Sequence, residues 1–198
     1  MLFDSMGHNL PYDIKDAEVV MRRGATLWTM ISLLQTNEVS VQGRAVVVIA
    51  GGTNDLDSEN WRGSRDAAEH AQCKMNVLRI LVEEIAKQNP SAYIVLCSVL
   101  PRPIDDKYTN LCVKVYNRKL RAFAFGHRHG YVPLWSSFVE SRPHREPTVP
   151  LVSLYTSGML HLNQAGADKL FLRLQQALSV GSLDAMAVRA VPPFQILW

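Results

Sequence analysis

Val46-Val47-Val48-Ile49-Ala50 is an unbroken apolar run that passes into Gly51-Gly52 and then into polar Thr53-Asn54-Asp55. Such a run, bounded by turn residues, predicts a strand buried on both faces of a parallel sheet. A second continuous run covers residues 93–100 and closes at Pro101-Arg102-Pro103; a short one covers 131–134. Between these runs apolar positions recur at helical spacing. Ala71, Met75, Leu78, Leu81, Val82 and Ile85 predict an amphipathic helix over residues 66–88, stopped by Asn89-Pro90. Residues 109–126 predict a second long helix, ended by Gly126 or Gly130, and residues 164–178 a last one. Val19, Val20, Leu27, Ile31 and Leu34 give residues 18–35 a helix in their second half.

Alternation of strands and helices predicts a three-layer α/β sandwich around a mainly parallel central sheet. Residues 1–178 are expected to form one domain and residues 179–198 a tail, with Phe194, Ile196, Leu197 and Trp198 available to pack on the domain or a partner. Residues 136–160, with Pro143, Pro147 and Pro150, read as a long surface loop leading to a functional edge.

Composition narrows the class. At 198 residues, 47% hydrophobic and 20% charged, the chain suits one globular domain. No apolar run reaches the length of a membrane span, and Met1-Leu2-Phe3-Asp4-Ser5 lacks the features of a signal peptide. A cytoplasmic location is therefore the default expectation. Cys73, Cys97 and Cys112 are odd in number and form no Cys-x-x-Cys pair, which favours buried reduced thiols over a disulfide framework or zinc site. Residues 1–100 hold 9 Lys/Arg against 12 Asp/Glu, whereas residues 101–198 hold 12 against 6. The basic groups Arg118-Lys119-x-Arg121, His127-Arg128-His129 and Arg142-x-His144-Arg145 read either as solvated surface or as a face for an anionic partner such as nucleic acid. No aromatic interleaving is expected to mark a base-stacking platform there.

Three segments could carry chemistry. The glycines after Ala50 allow a sharp turn at a strand's carboxyl end, where open α/β sheets bind ligands, and Asn54 can present an amide NH2 there. Asp4-Ser5-Met6-Gly7 follows the apolar Leu2-Phe3. A serine between strand and helix can attack as a nucleophile beside backbone N–H groups, or the same residues can simply cap a helix. His161 stands between a long loop and a helix starting near Asn163. Its imidazole suits either a base facing a cleft or a structural role.

Taken in order, these segments resemble the SGNH hydrolase (GDSL-type lipase/esterase) superfamily over most of residues 3–178. Asp4-Ser5-Met6 looks like its nucleophile block, and Arg23-Gly24-Ala25-Thr26-Leu27 like its second block. Gly52-Thr53-Asn54-Asp55 is similar to the third block, and His161-Leu162-Asn163-x-x-Gly166 to the last. Val115-Tyr116-Asn117-x-x-Leu120 looks like the helix preceding that family's late strand. The blocks also look like those of esterase domains in non-LTR retrotransposon first open reading frames. The resemblance implies a flavodoxin-like sandwich and a serine esterase acting on a small acyl ester, such as an acetyl group on a sugar or lipid. It implies Ser5 as nucleophile, His161 as base, and the N–H groups of Ser5 and Gly24 with the Asn54 amide as oxyanion-hole donors. It implies no metal or organic cofactor.

The sequence departs from the family pattern at three points. Phe3 stands where the family usually has glycine. The strand feeding Ser5 has at most three residues, which fits a short first strand or a piece of a longer protein. Gly158 stands where an aspartate usually orients the histidine. In its absence the orientation of His161 must come from a backbone carbonyl, a hydroxyl such as Ser157, or another acid. The missing aspartate, with the basic second half, motivates the alternative of a degenerate SGNH scaffold that binds RNA or another anionic partner.

Overall fold

Five strands pair side by side, all in parallel, in the spatial order β2-β1-β3-β4-β5. They are β1 (Leu2–Phe3), β2 (Val20–Met21), β3 (Val46–Ala50), β4 (Tyr93–Cys97) and β5 (Gly130–Val132). The helices are α1 (Leu27–Gln35), α2 (Ala67–Gln88), α3 (Lys107–Gly126) and α4 (Gln164–Val188). The computed structural model describes residues 1–7, 9, 18–57, 66–140 and 149–188, with Ser5 and residues 180–188 described by backbone alone. Among the described residues no helix is long and apolar enough to cross a membrane.

The strands are apolar at successive positions because both faces of the sheet are covered. Leu2, Val47, Ile49, Ile94 and Leu96 point into one core with Leu27, Ile31, Met75, Leu78, Val113 and Leu120 of α1, α2 and α3. Phe3, Val48, Val95 and Cys97 point the other way, against Leu170 and Leu174 of α4 and Tyr155, Leu162 and Phe138 of the loop after β5. The side-chain period of two thus divides each strand between two cores. Right-handed crossovers account for the layering. The connections β2→β3, β3→β4 and β4→β5 all step the same way across the sheet, so α1, α2 and α3 share one face.

Local signals set the helix ends. Thr26 and Thr29 form a reciprocal capping box at the start of α1. Asp66 caps α2 through Ala68 N–H, and Asp106 caps α3 through Thr109 N–H. Asn89 ends α2 and donates its side-chain NH2 to Val41 O and Arg44 O, closing the loop into β3. Buried Asn117 on α3 acts on the exit of β4. Its amide accepts from Val99 N–H at 2.8 Å and donates to Val99 O at 2.9 Å, replacing the strand neighbour that Val99 lacks.

Some expectations are sharpened and others corrected. Residues 18–35 contain the edge strand β2 before α1, which pairs with β1 through Leu2↔Val20 and Phe3↔Met21. The run 93–100 is strand only to Cys97, because Asn117 takes over Val99. Gly126 ends α3, and Gly130 opens β5. The last helix reaches Val188, beyond residue 178. Cys97 and Cys112 are buried free thiols as expected, whereas Cys73 is exposed on α2. Pro143, Pro147, the Arg142–Arg145 cluster and the Phe194–Trp198 end lie outside the described residues.

Because Asn117 is the partner of both Val99 backbone groups, Asn117→Ala orphans two buried polar groups. It should lower unfolding stability by about 2–4 kcal/mol, measured from the urea midpoint at unchanged slope.

Candidate active site

In the order 2-1-3-4-5 the strand succession reverses between β1 and β3, and ligands bind outside the carboxyl ends of strands at such a switch point. The register levels the three strand ends there. Phe3 lies opposite both Ala50 and Met21, Asp4 N–H donates to Ala50 O, and Arg22 N–H donates to Phe3 O. The segments that carry Ser5, Gly24 and Asn54 therefore leave the sheet from the same edge.

Asp4 ties the first exit to the third. Its carboxylate is buried, one oxygen accepting from Met6 N–H at 3.0 Å and the other from Thr53 N–H at 3.1 Å. Burial pushes its pKa above the usual carboxylate range, and the hydrogen bonds from Met6 and Thr53 with the charge of Arg102 act in the opposite direction. Met6 N–H is the amide directly after Ser5, so Asp4 fixes the 3₁₀ turn Ser5–Gly7. The bulky Phe3 at the usual glycine position is accommodated by Gly7. A β-carbon on Gly7 would lie 2.9 Å from Phe3 Cβ, so the small residue has moved four places along the turn.

Asp55 ties the second exit to the third. Its Oδ2 accepts from Leu27 N–H at 2.9 Å, at the positive end of α1. Asn54 Nδ2 donates to Ala25 O at 2.9 Å, which sets the direction of the side-chain amide. Gly24 has φ +70° in a turn closed by Ala25 N–H donating to Arg22 O, a conformation that favours glycine. Gly52, at φ +112°, turns the chain out of β3, while Gly51 leaves room for the thioether end of Met30. Behind this loop stands buried His70 of α2. Its Nε2 lies 3.3 Å from Asp55 O and its Nδ1 lies 3.8 Å from Cys112 Sγ on α3. Burial and nearby Lys74 hold the His70 pKa below its ordinary value.

His161 arrives from the far end of the chain on a separate arm. Its carbonyl accepts from Thr156 N–H at 2.8 Å, and Leu162 bridges antiparallel to Tyr155. Asn163 anchors the arm by donating to Ser153 O and Tyr155 O and by capping α4 through Gly166 N–H. A side chain at Gly166 would meet Leu154 O at 2.1 Å, which explains the glycine that closes this motif. Tyr155 OH donates to Pro101 O, pinning the arm to the exit of β4. Asn9 Nδ2 donates to Leu162 O at 2.7 Å. That bond joins the segment just after the Ser5 turn to the residue just after His161. Met6 and Leu162 also bury in the same apolar cluster. Gly158 is exposed, with no atom within 4 Å of where a β-carbon would stand.

A buried ion cluster borders the site. Arg102 is 3% exposed and pairs with Asp105 and with Asp57, the latter on the loop after Asn54. The sequence reading missed Arg102, Asp57, Asn9 and Tyr155; apart from the local Arg102–Asp105 pair, their partners are distant in the chain. Asp4 enters that reading only as part of the nucleophile block or as a helix cap. Among the described residues no His, Cys, Asp and Glu side chains are grouped to hold a metal ion.

The profile of the GDSL-like lipase/acylhydrolase family matches residues 5–169. No curated protein matches the chain in sequence. Among solved structures, a GDSL-like lipase from Bacteroides thetaiotaomicron superposes with a TM-score of 0.70 at 18% identity, over 91% of this chain and 86% of that one. A putative acylhydrolase from Bacteroides fragilis gives 0.64 at 21% identity, over 91% and 85%. The esterase domain of an ORF1 protein from a zebrafish retrotransposon gives 0.47 at 18% identity, over 90% and 96%, too low a score to argue that narrower kinship.

Neutral His70 in the fold makes a definite pH signature. The unfolded chain takes up a proton below the ordinary value of 6.5 and the folded one resists it, so stability falls as pH drops from there toward the depressed folded value. In His70→Gln, the loss of urea stability between pH 7.5 and 5.5 should be smaller than in the parent protein.

Proposed function

Because the chain belongs to the GDSL-like lipase/acylhydrolase family, we propose that it is a serine esterase cleaving a small acyl ester, with Ser5 as nucleophile and His161 as base. Ser5 Oγ forms a bond to the ester carbonyl carbon while its proton passes to His161. The N–H groups of Ser5 and Gly24 and the side-chain amide of Asn54 receive the oxyanion. Collapse breaks the bond to the alcohol, which leaves with the proton from His161. Water then repeats the sequence on the acyl-enzyme and releases the acid. An acetyl group suits the small acyl class, and no cofactor enters the scheme.

The observation that carries this reading is the Asn9–Leu162 hydrogen bond, which draws the base-bearing arm to the serine turn across 153 residues of sequence. The shared anchoring of Gly24 and Asn54 supports their joint role. Asn54 holds Ala25 O and Asp55 holds Leu27 N–H, so the loop that carries Asn54 is tied to the segment that follows Gly24. Preorganised donors of this kind stabilise charge that develops in the transition state.

Kinetics on p-nitrophenyl acetate test the reading. Ser5→Ala and His161→Ala should fall to the background rate, and Asn54→Ala should lose roughly 10²–10³ in kcat with little change in KM. Equal turnover in the parent protein and Ser5→Ala would end it.

Gly158 offers a test by gain. The space around it is open, and a triad aspartate is worth up to about 10⁴ in turnover in a serine protease. Gly158→Asp should therefore raise kcat by about tenfold or more, measured beside Gly158→Asn as the uncharged control.

A further inference from the structure

α3 differs from its neighbour in how it carries charge. The exposed face of α2 mixes signs, with Glu69, Lys74, Arg79, Glu83, Glu84 and Lys87, as a solvated helix usually does. From residue 107 to residue 139 there are Lys107, Lys114, Arg118, Lys119, Arg121 and Arg128, and no carboxylate. Among the described residues none of Arg118, Lys119, Arg121 or Arg128 is in an ion pair.

Spacing gathers these cations. Lys114, Arg118, Arg121 and Phe125 fall four, three and four residues apart, on one stripe of the helix. Phe125 is 64% exposed, an unusual place for a large aromatic ring. The Arg121 guanidinium lies 5.6 Å from the Phe125 ring centre, and Tyr131 of β5 adds its ring at 6.4 Å. Around the corner, His127 and His129 stack at 6.1 Å with ring planes 16° apart, against Phe123, over which Arg79 lies. The fold thus interleaves rings and cations here, although no stacking platform was expected from the sequence.

The turn after α3 sharpens the point. Arg128 N–H donates to Phe125 O and His129 N–H donates to Ala124 O, the bonds that close a helix with a left-handed residue. That residue is Arg128, at φ +57°, where glycine would be unstrained. A cation held in a disfavoured conformation on a cationic face points to use rather than to packing.

We propose that the outer face of α3 and its closing turn form a docking surface for single-stranded nucleic acid. The uncompensated arginines match a phosphate backbone, and the exposed ring with its stacked guanidinium matches an unpaired base. An acidic protein segment would use the charges and leave the solvent-facing ring arrangement unexplained, whereas an anionic bilayer would seat the ring as well and is distinguished by its preference for vesicles over the oligonucleotide. α3 closes at the amino end of β5, at the opposite edge of the sheet from the carboxyl-end site, so this inference stands independently of the esterase reading.

Fluorescence anisotropy of the full chain with a labelled oligouridylate of about 12 nucleotides tests it. Affinity should fall with salt at a log–log slope of about −2, for three phosphate contacts on a single strand. Arg118→Glu with Arg121→Glu should weaken binding by at least tenfold. Phe125→Ala should weaken it about tenfold at an unchanged salt slope, a split that a purely electrostatic face cannot give. Arg128→Gly removes the strained backbone, so it should raise the melting temperature while lowering affinity; this variant keeps the test valid if the charge reversals unfold. Unaltered affinity in either Phe125→Ala or Arg128→Gly would overturn the proposal. So would tighter binding to phosphatidylserine vesicles or polyglutamate than to the oligonucleotide.

Discussion

The buried carboxylate of Asp4 is the constraint on which the functional edge depends. It removes a charge from water, which costs free energy, and offsets part of that cost by accepting one backbone N–H on each oxygen, from Met6 and from Thr53. An asparagine could satisfy only one of the two, because its second atom is a donor. Asp4 therefore binds the turn after β1 to the loop after β3 with a rigidity that neutral side chains of its size cannot supply. Asp55 repeats the device between the same loop and the start of α1. Through these two acids the loop after β3 becomes the fixed reference for both neighbouring strand exits.

The histidine side is built differently. It hangs on an arm braced by Asn163, Tyr155 and the close approach of Gly166 to Leu154. Bracing of the arm's backbone is extensive, and Gly158, three residues before the histidine, is exposed. In the esterase reading, buried acids fix the oxyanion side and the backbone bonds of the arm fix the base side. Arg102 links the halves indirectly. Its ion pairs hold Asp57, beyond Asn54, and Asp105, while the neighbouring Pro101 carbonyl receives Tyr155.

Much of this was legible in the residues. Continuous apolar runs gave β3 and β4 because strands buried on both faces need apolar side chains at every position. Periodic apolar spacing gave α1, α2 and α3, since that signal is local, while their caps emerged only in the structure. β2 was not legible, because two residues carry no periodicity and Val20–Met21 become a strand only by pairing with β1. Cys73 was misjudged because a cysteine's burial depends on the helix face it occupies. Asn9 and Tyr155 escaped notice for a related reason. Their hydrogen bonds span 153 and 54 residues, and nothing near them in sequence announces the partner. The exchange between Phe3 and Gly7 is a milder case, visible only once the turn brings the two together.

The central claim, that the serine turn and the histidine arm act as one nucleophile and base, is tested most directly by covalent trapping. After treatment with a fluorophosphonate, peptide mapping by mass spectrometry should find the adduct on Ser5, and the labelling rate should collapse in His161→Ala. Labelling of a different residue, or equal labelling of Ser5 without His161, would contradict the account.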